Sequence, residues 1–169
     1  MTTLELTHPL ALRAARPETV RYGSLSFPKS AQADVDTAFT YLSQDSIARS
    51  LIDRVEHDGT RRHIAIDRAG DDSYDPNTHT IHWDPHSAML TTSGGSQSPA
   101  LGLVHEIDHA AAPPALQFEL QNIDDPAYDN AEERRVITGA ETQIARALHE
   151  GLRHDHSGSS YRVPSPIAR

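Results

Sequence analysis

The sequence predicts an α+β domain in which a small antiparallel sheet precedes two strong helices. Three observations predict it. Residues 62–68 and 78–83 alternate, with Ile64 and Ile66, then Ile81 and Trp83, on one face, as half-buried strands do. Residues 99–111 follow Ser98 and Pro99, an N-cap and a first-turn proline, and set Ala100, Leu103, Val104, Ile107 and Ala111 on one side of a helix. Residues 131–150 keep helical spacing until Gly151 closes them.

The other elements follow in chain order. Residues 1–29 carry Pro9, Pro17 and Pro28 and predict a flexible lead-in with a short strand near residues 20–27; this segment is also the candidate secretion signal. Residues 30–169 form the single folded domain. From Ser30 onward, Val35, Ala38, Phe39 and Leu42 follow helical spacing, and Ile47, Leu51, Ile52 and Val55 resume it until Gly59. Tyr74-Asp75-Pro76-Asn77 is turn chemistry and joins the two alternating strands. Residues 91–98, with Gly94-Gly95, read as a flexible connector before the next helix, with gating of a cleft as the alternative. Pro113-Pro114 ends that helix.

Composition narrows the function classes. The net charge is −9 with no cluster of Lys and Arg, which argues against nucleic acid or anionic membrane as a partner. The absence of cysteine excludes disulfides, a thiolate metal site and a thiol nucleophile. No apolar run approaches the ~20 residues of a membrane span, and the N-terminus lacks the basic start and apolar stretch of a secretory signal.

One stretch names a chemistry: His105-Glu106-Ile107-Asp108-His109. Side chains four apart share a helix face, so both imidazoles can bind one Zn²⁺ while Glu106 stands beside the open position as general base. Catalytic zinc takes a third protein ligand. The three-histidine class would need Gly at position 112 and His at 115, where this chain has Ala112 and Ala115. In the glutamate-ligand class a later helix supplies it. With Glu133 at 0° on a straight helix, Ile137, Ala140, Ile144 and Leu148 fall within about 60° of it, so Glu133 lies in the apolar stripe, where a cation would compensate its carboxylate. Glu132 lies about 100° to one side and Glu141 about 80° to the other, as residues at the boundary of the stripe or as partners standing behind the ligands. Asp125 with Tyr128, as D-x-x-Y, is the aspartate alternative; His154 and His156 are further candidate ligands, and Tyr128, Tyr161, His154 or His156 could steady a developing oxyanion. Residues 78–83 are the candidate edge strand for a substrate peptide.

These residues, followed by Glu132-Glu133-Arg134-Arg135-Val136-Ile137-Thr138-Gly139-Ala140-Glu141, then Ile144-Ala145-Arg146, Arg153 and His156-Ser157-Gly158, resemble the NleD-type effector metallopeptidases over residues 60–166; Tyr74-Asp75-Pro76 and Trp83-Asp84-Pro85 resemble their upstream region. The resemblance implies a compact, zincin-like metallopeptidase domain with His105 and His109 as ligands of one catalytic Zn²⁺ and Glu106 as base. It also implies a monomeric virulence effector, delivered by bacterial type III secretion into the host cytoplasm, that cleaves a host protein such as a signalling kinase. The alternatives are a non-catalytic effector that docks a host protein around a structural or vestigial zinc site, and a zinc hydrolase acting on another amide substrate.

Overall fold

The computed structural model describes residues 18–169. The N-terminal segment expected to be a lead-in therefore lies largely outside the described residues, but its end does not. Thr19–Tyr22 (β1) and Leu25–Pro28 (β2) form an antiparallel hairpin, and Leu25 and Phe27 are fully buried. The folded domain thus begins before residue 30, because alternate residues of β2 supply core that the short run 20–27 did not advertise.

Gln32–Leu42 (α1) and Ser46–His57 (α2) follow, the latter capped by Asp45, whose Oδ1 accepts the Ile47 and Ala48 N–H groups at 2.8 and 2.9 Å. Arg62–Ile66 (β3), Ser73–Asp75 (β4) and Thr80–Trp83 (β5) complete a five-stranded sheet in the order β1-β2-β3-β5-β4. Here the structure corrects the expected antiparallel pairing. β3 pairs with β2 and with β5 in parallel, and β5 meets the short β4 antiparallel. The turn at Tyr74-Asp75-Pro76-Asn77 does join antiparallel strands, but they are β4 and β5. Alternation reports which face of a strand is buried and carries no direction, so a three-residue partner inserted between two longer strands leaves no trace in it.

Pro99–Ala111 (α3) packs across this sheet and against α1 and α2. Both its ends are held. At the N-terminus the buried Glu150 carboxylate accepts the Ser98 N–H at 2.6 Å and its hydroxyl at 2.7 Å, and Trp83 Nε1 donates to the Pro99 carbonyl at 2.8 Å. Near the C-terminus the buried Arg62 guanidinium donates to the Ala110 carbonyl at 2.7 and 3.1 Å. An anion at the first end and a cation at the last both match the helix dipole. The core around α3 contains Phe27, Val35, Leu42, Ile64, Trp83 and Ile107, all fully buried.

A second sheet covers the N-terminal half of α3. Ser87–Thr91 (β6) pairs with Ser96–Gln97 (β7) and with the C-terminal strand Gly158–Arg162 (β10), in the order β10-β6-β7. The expected loop at residues 91–98 is therefore mostly a hairpin. Gly94 turns it at φ +86°, and Thr91 and Gly95 close it through hydrogen bonds. Pro114–Gln121 (α4) and a two-stranded ribbon of Asp124–Asp125 (β8) and Asp129–Asn130 (β9) lead to the final helical segment.

That segment is not the continuous helix expected for residues 131–150. Ala131–Val136 (α5), capped by Asn130, passes through a wide turn at Ile137–Glu141 that includes Gly139, and continues as Thr142–Ala147 (α6). Glu150 lies beyond its end. The wide turn absorbs about one residue, which changes which side chains share a face. No helix among the described residues is long and apolar enough to cross a membrane.

Candidate metal centre

α3 sets His105 and His109 one turn apart, with their ring centroids 4.8 Å apart and both side chains buried. Their Nε2 atoms converge at 3.1 Å. α5 brings Glu133 across from them, with Oε2 3.1 Å from His105 Nε2 and Oε1 3.3 Å from His109 Nε2. One ligand atom from each of the three residues lies within 4.8 Å of the others, a group that could hold a metal ion.

The second nitrogen of each ring explains why these atoms face inward. His105 Nδ1 lies 2.7 Å from Glu141 Oε2, and His109 Nδ1 lies 3.1 Å from Glu132 Oε1. A carboxylate there accepts the Nδ1–H and leaves the Nε2 lone pair for a cation, the arrangement that orients metal-binding imidazoles. The two outer carboxylates are themselves held. Glu141 accepts Arg153 Nε at 2.9 Å and Gln97 Nε2 at 2.8 Å and also takes the second arm of the Arg153 fork. Glu132 accepts Arg135 at 2.7 and 2.8 Å, and the same guanidinium reaches Asp108 at 3.0 Å. Two imidazole nitrogens and a carboxylate, each backed by a fixed neighbour, suit a borderline cation such as Zn²⁺.

The site's electrostatics follow from the crowding of charges. Burial works against a charged His109, but the carboxylates of Glu132 and Glu133 outweigh it and lift its pKa to about 10. Burial also opposes the Glu133 charge, and His105, His109 and His156 together hold that carboxyl far below the usual range. Glu141 is depressed for the same reason by Arg153 and His105. Glu106 behaves in the opposite way. It is 6 % exposed, its Oε1 comes no nearer to His105 Nε2 than 3.8 Å, and burial raises its pKa.

The expected positions of the glutamates require correction. Glu133 reaches the centre, yet it is partly exposed at the rim, whereas Glu132 and Val136 are the buried faces of α5. Glu132 is therefore buried rather than at a boundary, and it and Glu141 stand behind the two rings, the second of the two places expected for them. Glu141, expected about 80° from Glu133, is brought to the same side. Eight residues along a straight helix give 80°, but a wide turn that absorbs one leaves an effective seven, about 20° off.

The remaining candidates separate clearly. His156 joins the site, with Nε2 3.3 Å from Glu133 Oε2 and Nδ1 2.6 Å from Asp129. His154 is exposed, Tyr161 is exposed on β10, Asp125 pairs with Arg134 at 3.4 Å, and Tyr128 N–H bonds back to Asp125 in the ribbon loop. None of these four lies among the ligand atoms or lines the cleft. Residues 78–83 are not an edge either, since β5 is flanked on both sides; the edges of this sheet are β1 and β4.

A cleft of about 260 Å³ opens beside the centre, lined by His105 and Glu106 but not by His109 or Glu133. Arg153, His156, Asp72 and Ser160 also line it. Sequence reasoning missed Asp72, Gln97 and the pairing of Arg153 with Glu141, because these residues are far apart in the chain and belong to no motif. Gly102 was the one local signal, a gap in the apolar run one turn before Glu106. No family model, curated protein or solved structure matches this chain.

Proposed function

We propose that this protein is a zinc-dependent endopeptidase of the zincin type, related to the NleD-type effectors it resembles. The observation that carries this reading is the convergence of His105 Nε2, His109 Nε2 and the Glu133 carboxylate beside the buried Glu106, which with His105 lines a cleft. When bound, Zn²⁺ supplies a Lewis acid that polarises a carbonyl and lowers the pKa of water toward ~7.

The chain's own residues would do the rest. His105, His109 and Glu133 hold the ion, and Glu141 and Glu132 keep the two rings in the tautomer that presents Nε2. Glu106 takes a proton from the attacking water at a carboxylate oxygen and returns it to the leaving amine; its raised pKa brings it nearer to both tasks. His156, whose charged form the Glu133 carboxylate favours, faces the same cleft and can donate to the oxyanion that develops on the scissile carbonyl. The edge strand β4, which packs against α3, is the place for a substrate peptide to add as a further strand. By the same resemblance the substrate is a host protein, a signalling kinase among the candidates, met after type III delivery.

Metal analysis of protein purified without chelator tests the first step. About one zinc per chain is expected, lost on His105→Ala and retained on Glu106→Gln. Parent and Glu106→Gln protein are then incubated with host-cell lysate and new peptide termini mapped. New termini with the parent alone support the reading; cleavage by Glu106→Gln at the parental rate would overturn it. A host phenotype that survives Glu106→Gln would instead favour the docking effector.

A further inference from the structure

Asp72 stands just before β4 and lines the cleft together with Glu106. Its Oδ1 accepts the Asp84 N–H at 2.7 Å, and its Oδ2 has no hydrogen-bond donor among the described residues. That second oxygen lies on α3 at Gly102, where a Cβ would come within 2.6 Å of it. Gly102 precedes Glu106 by four residues and so shares its helix face. The absence of a side chain at 102 is what admits a carboxyl group so near the proposed base.

The cations nearby are already engaged. Arg162 pairs with Asp84 at 2.5 Å, Arg153 is gripped by Glu141, and His105 and His156 face Glu133. The cleft around Asp72 is lined by small residues, Gly70, Ser87, Ala88, Gly158 and Ser160, which leave room for a side chain and bring no positive charge. Burial, with Glu106 and Asp84 adding to it against the accepted N–H and the nearby His105, pushes the Asp72 carboxyl up to about 8. A carboxyl so placed is stabilised by a cation brought in from outside.

We propose that Asp72, seated against Gly102, is the specificity residue of the cleft and receives a basic side chain, lysine or arginine, next to the peptide bond that is cut. The inference rests on the endopeptidase reading for the cut but not for the binding. A desolvated charge pair of this kind is worth on the order of 30-fold or more when one partner loses its charge. Asp72→Asn retains an oxygen for the Asp84 N–H and removes only the charge.

Two measurements test it. In the first, the zinc-loaded protein cuts a library of Nα-acetylated peptides, and kcat/KM is compared for sequences that differ only by Lys or Arg against Gln or norleucine. The basic peptides should lead by roughly 30-fold, and Asp72→Asn should bring the ratio close to one. Gly102→Ala, whose methyl would displace the Asp72 carboxyl, should do the same. A matching set with free N-termini separates side-chain recognition from capture of an α-amino group; a preference that appears only there would overturn the proposal.

In the second, Nα-acetyl-arginine amide and Nα-acetyl-norleucine amide are titrated into ¹⁵N-labelled protein. The arginine compound alone should shift the amides of Gly70, Asp72 and Gly102, and Asp72→Asn should abolish the shifts. Equal shifts with both compounds, or shifts that persist in the variant, would overturn the role of Asp72 whatever the catalytic result. If no peptide is cut but the arginine shifts depend on Asp72, the endopeptidase reading fails and the cation site stands.

Discussion

Around the two imidazoles Glu132, Glu133 and Glu141 each face two or more imidazole or guanidinium groups, and these outweigh burial to hold every one of them below the usual carboxylate range. On the cavity side Glu106 has no hydrogen-bond partner among the described residues and Asp72 a single backbone one, and burial raises both. The same chemical group thus occurs in two electrostatic regimes within one cavity. Glu132 and Glu141, which position the two rings, are saturated with donors, whereas Glu106 and Asp72 retain free lone pairs. Saturation makes a rigid scaffold for the two imidazoles, and incomplete pairing leaves a group able to accept a proton or a cation.

Removing a saturated carboxylate should have the largest effect. Glu141→Ala would leave the buried Arg153 without its partner and free the His105 ring, at a cost of ~3–5 kcal/mol in denaturant unfolding. A loss below ~1 kcal/mol would mean that the pair is not buried as described.

Asp72→Asn should act in the other direction, and with pH. The folded pKa of Asp72 is raised from 3.8 to about 8, so its contribution favours the fold fully below 3.8 and is lost as pH climbs toward 8. The amide does not titrate. In metal-free protein the variant should therefore gain on the parent between pH 4 and pH 8, by on the order of 2–4 kcal/mol, in chemical unfolding at the two pH values. A gap that does not change with pH would remove Asp72 from the unpaired class.

Glu132→Gln keeps the shape but weakens acceptance from His109. It should loosen zinc binding by about 10- to 100-fold, as read by competition with a chelating dye. The exposed pair of Arg134 with Asp125 serves as the control, and Arg134→Ala should shift stability by less than ~0.5 kcal/mol.

Much of the site could be read along the chain because it is local. His105, Glu106 and His109 are related by one helical turn, and Ser98 and Pro99 announce the start of that helix. Glu133 was selected from a wheel that placed it in an apolar stripe, whereas in the structure Glu132 occupies the buried face and Glu133 the rim. The wheel assumed a straight helix, and the wide turn at Ile137–Glu141 broke that assumption while carrying Glu141 into the centre. Parallel pairing of β3 with β5 was hidden for a related reason. Strand direction depends on a connection whose intermediate strand, β4, is three residues long.

By itself the sequence determined the helix that presents both imidazoles and Glu106, two of the strands that support it, and the cap at the start of α3, because each follows from spacing and from side chains a few residues apart. Only the tertiary structure decided which carboxylate faces the two Nε2 atoms, which ones steady the rings, and that Asp72 comes to rest on Gly102 with one oxygen unpaired. Those outcomes depend on burial and on the directions of donors from distant segments, and a carboxylate's pKa and role are set by that environment rather than by its place in the chain.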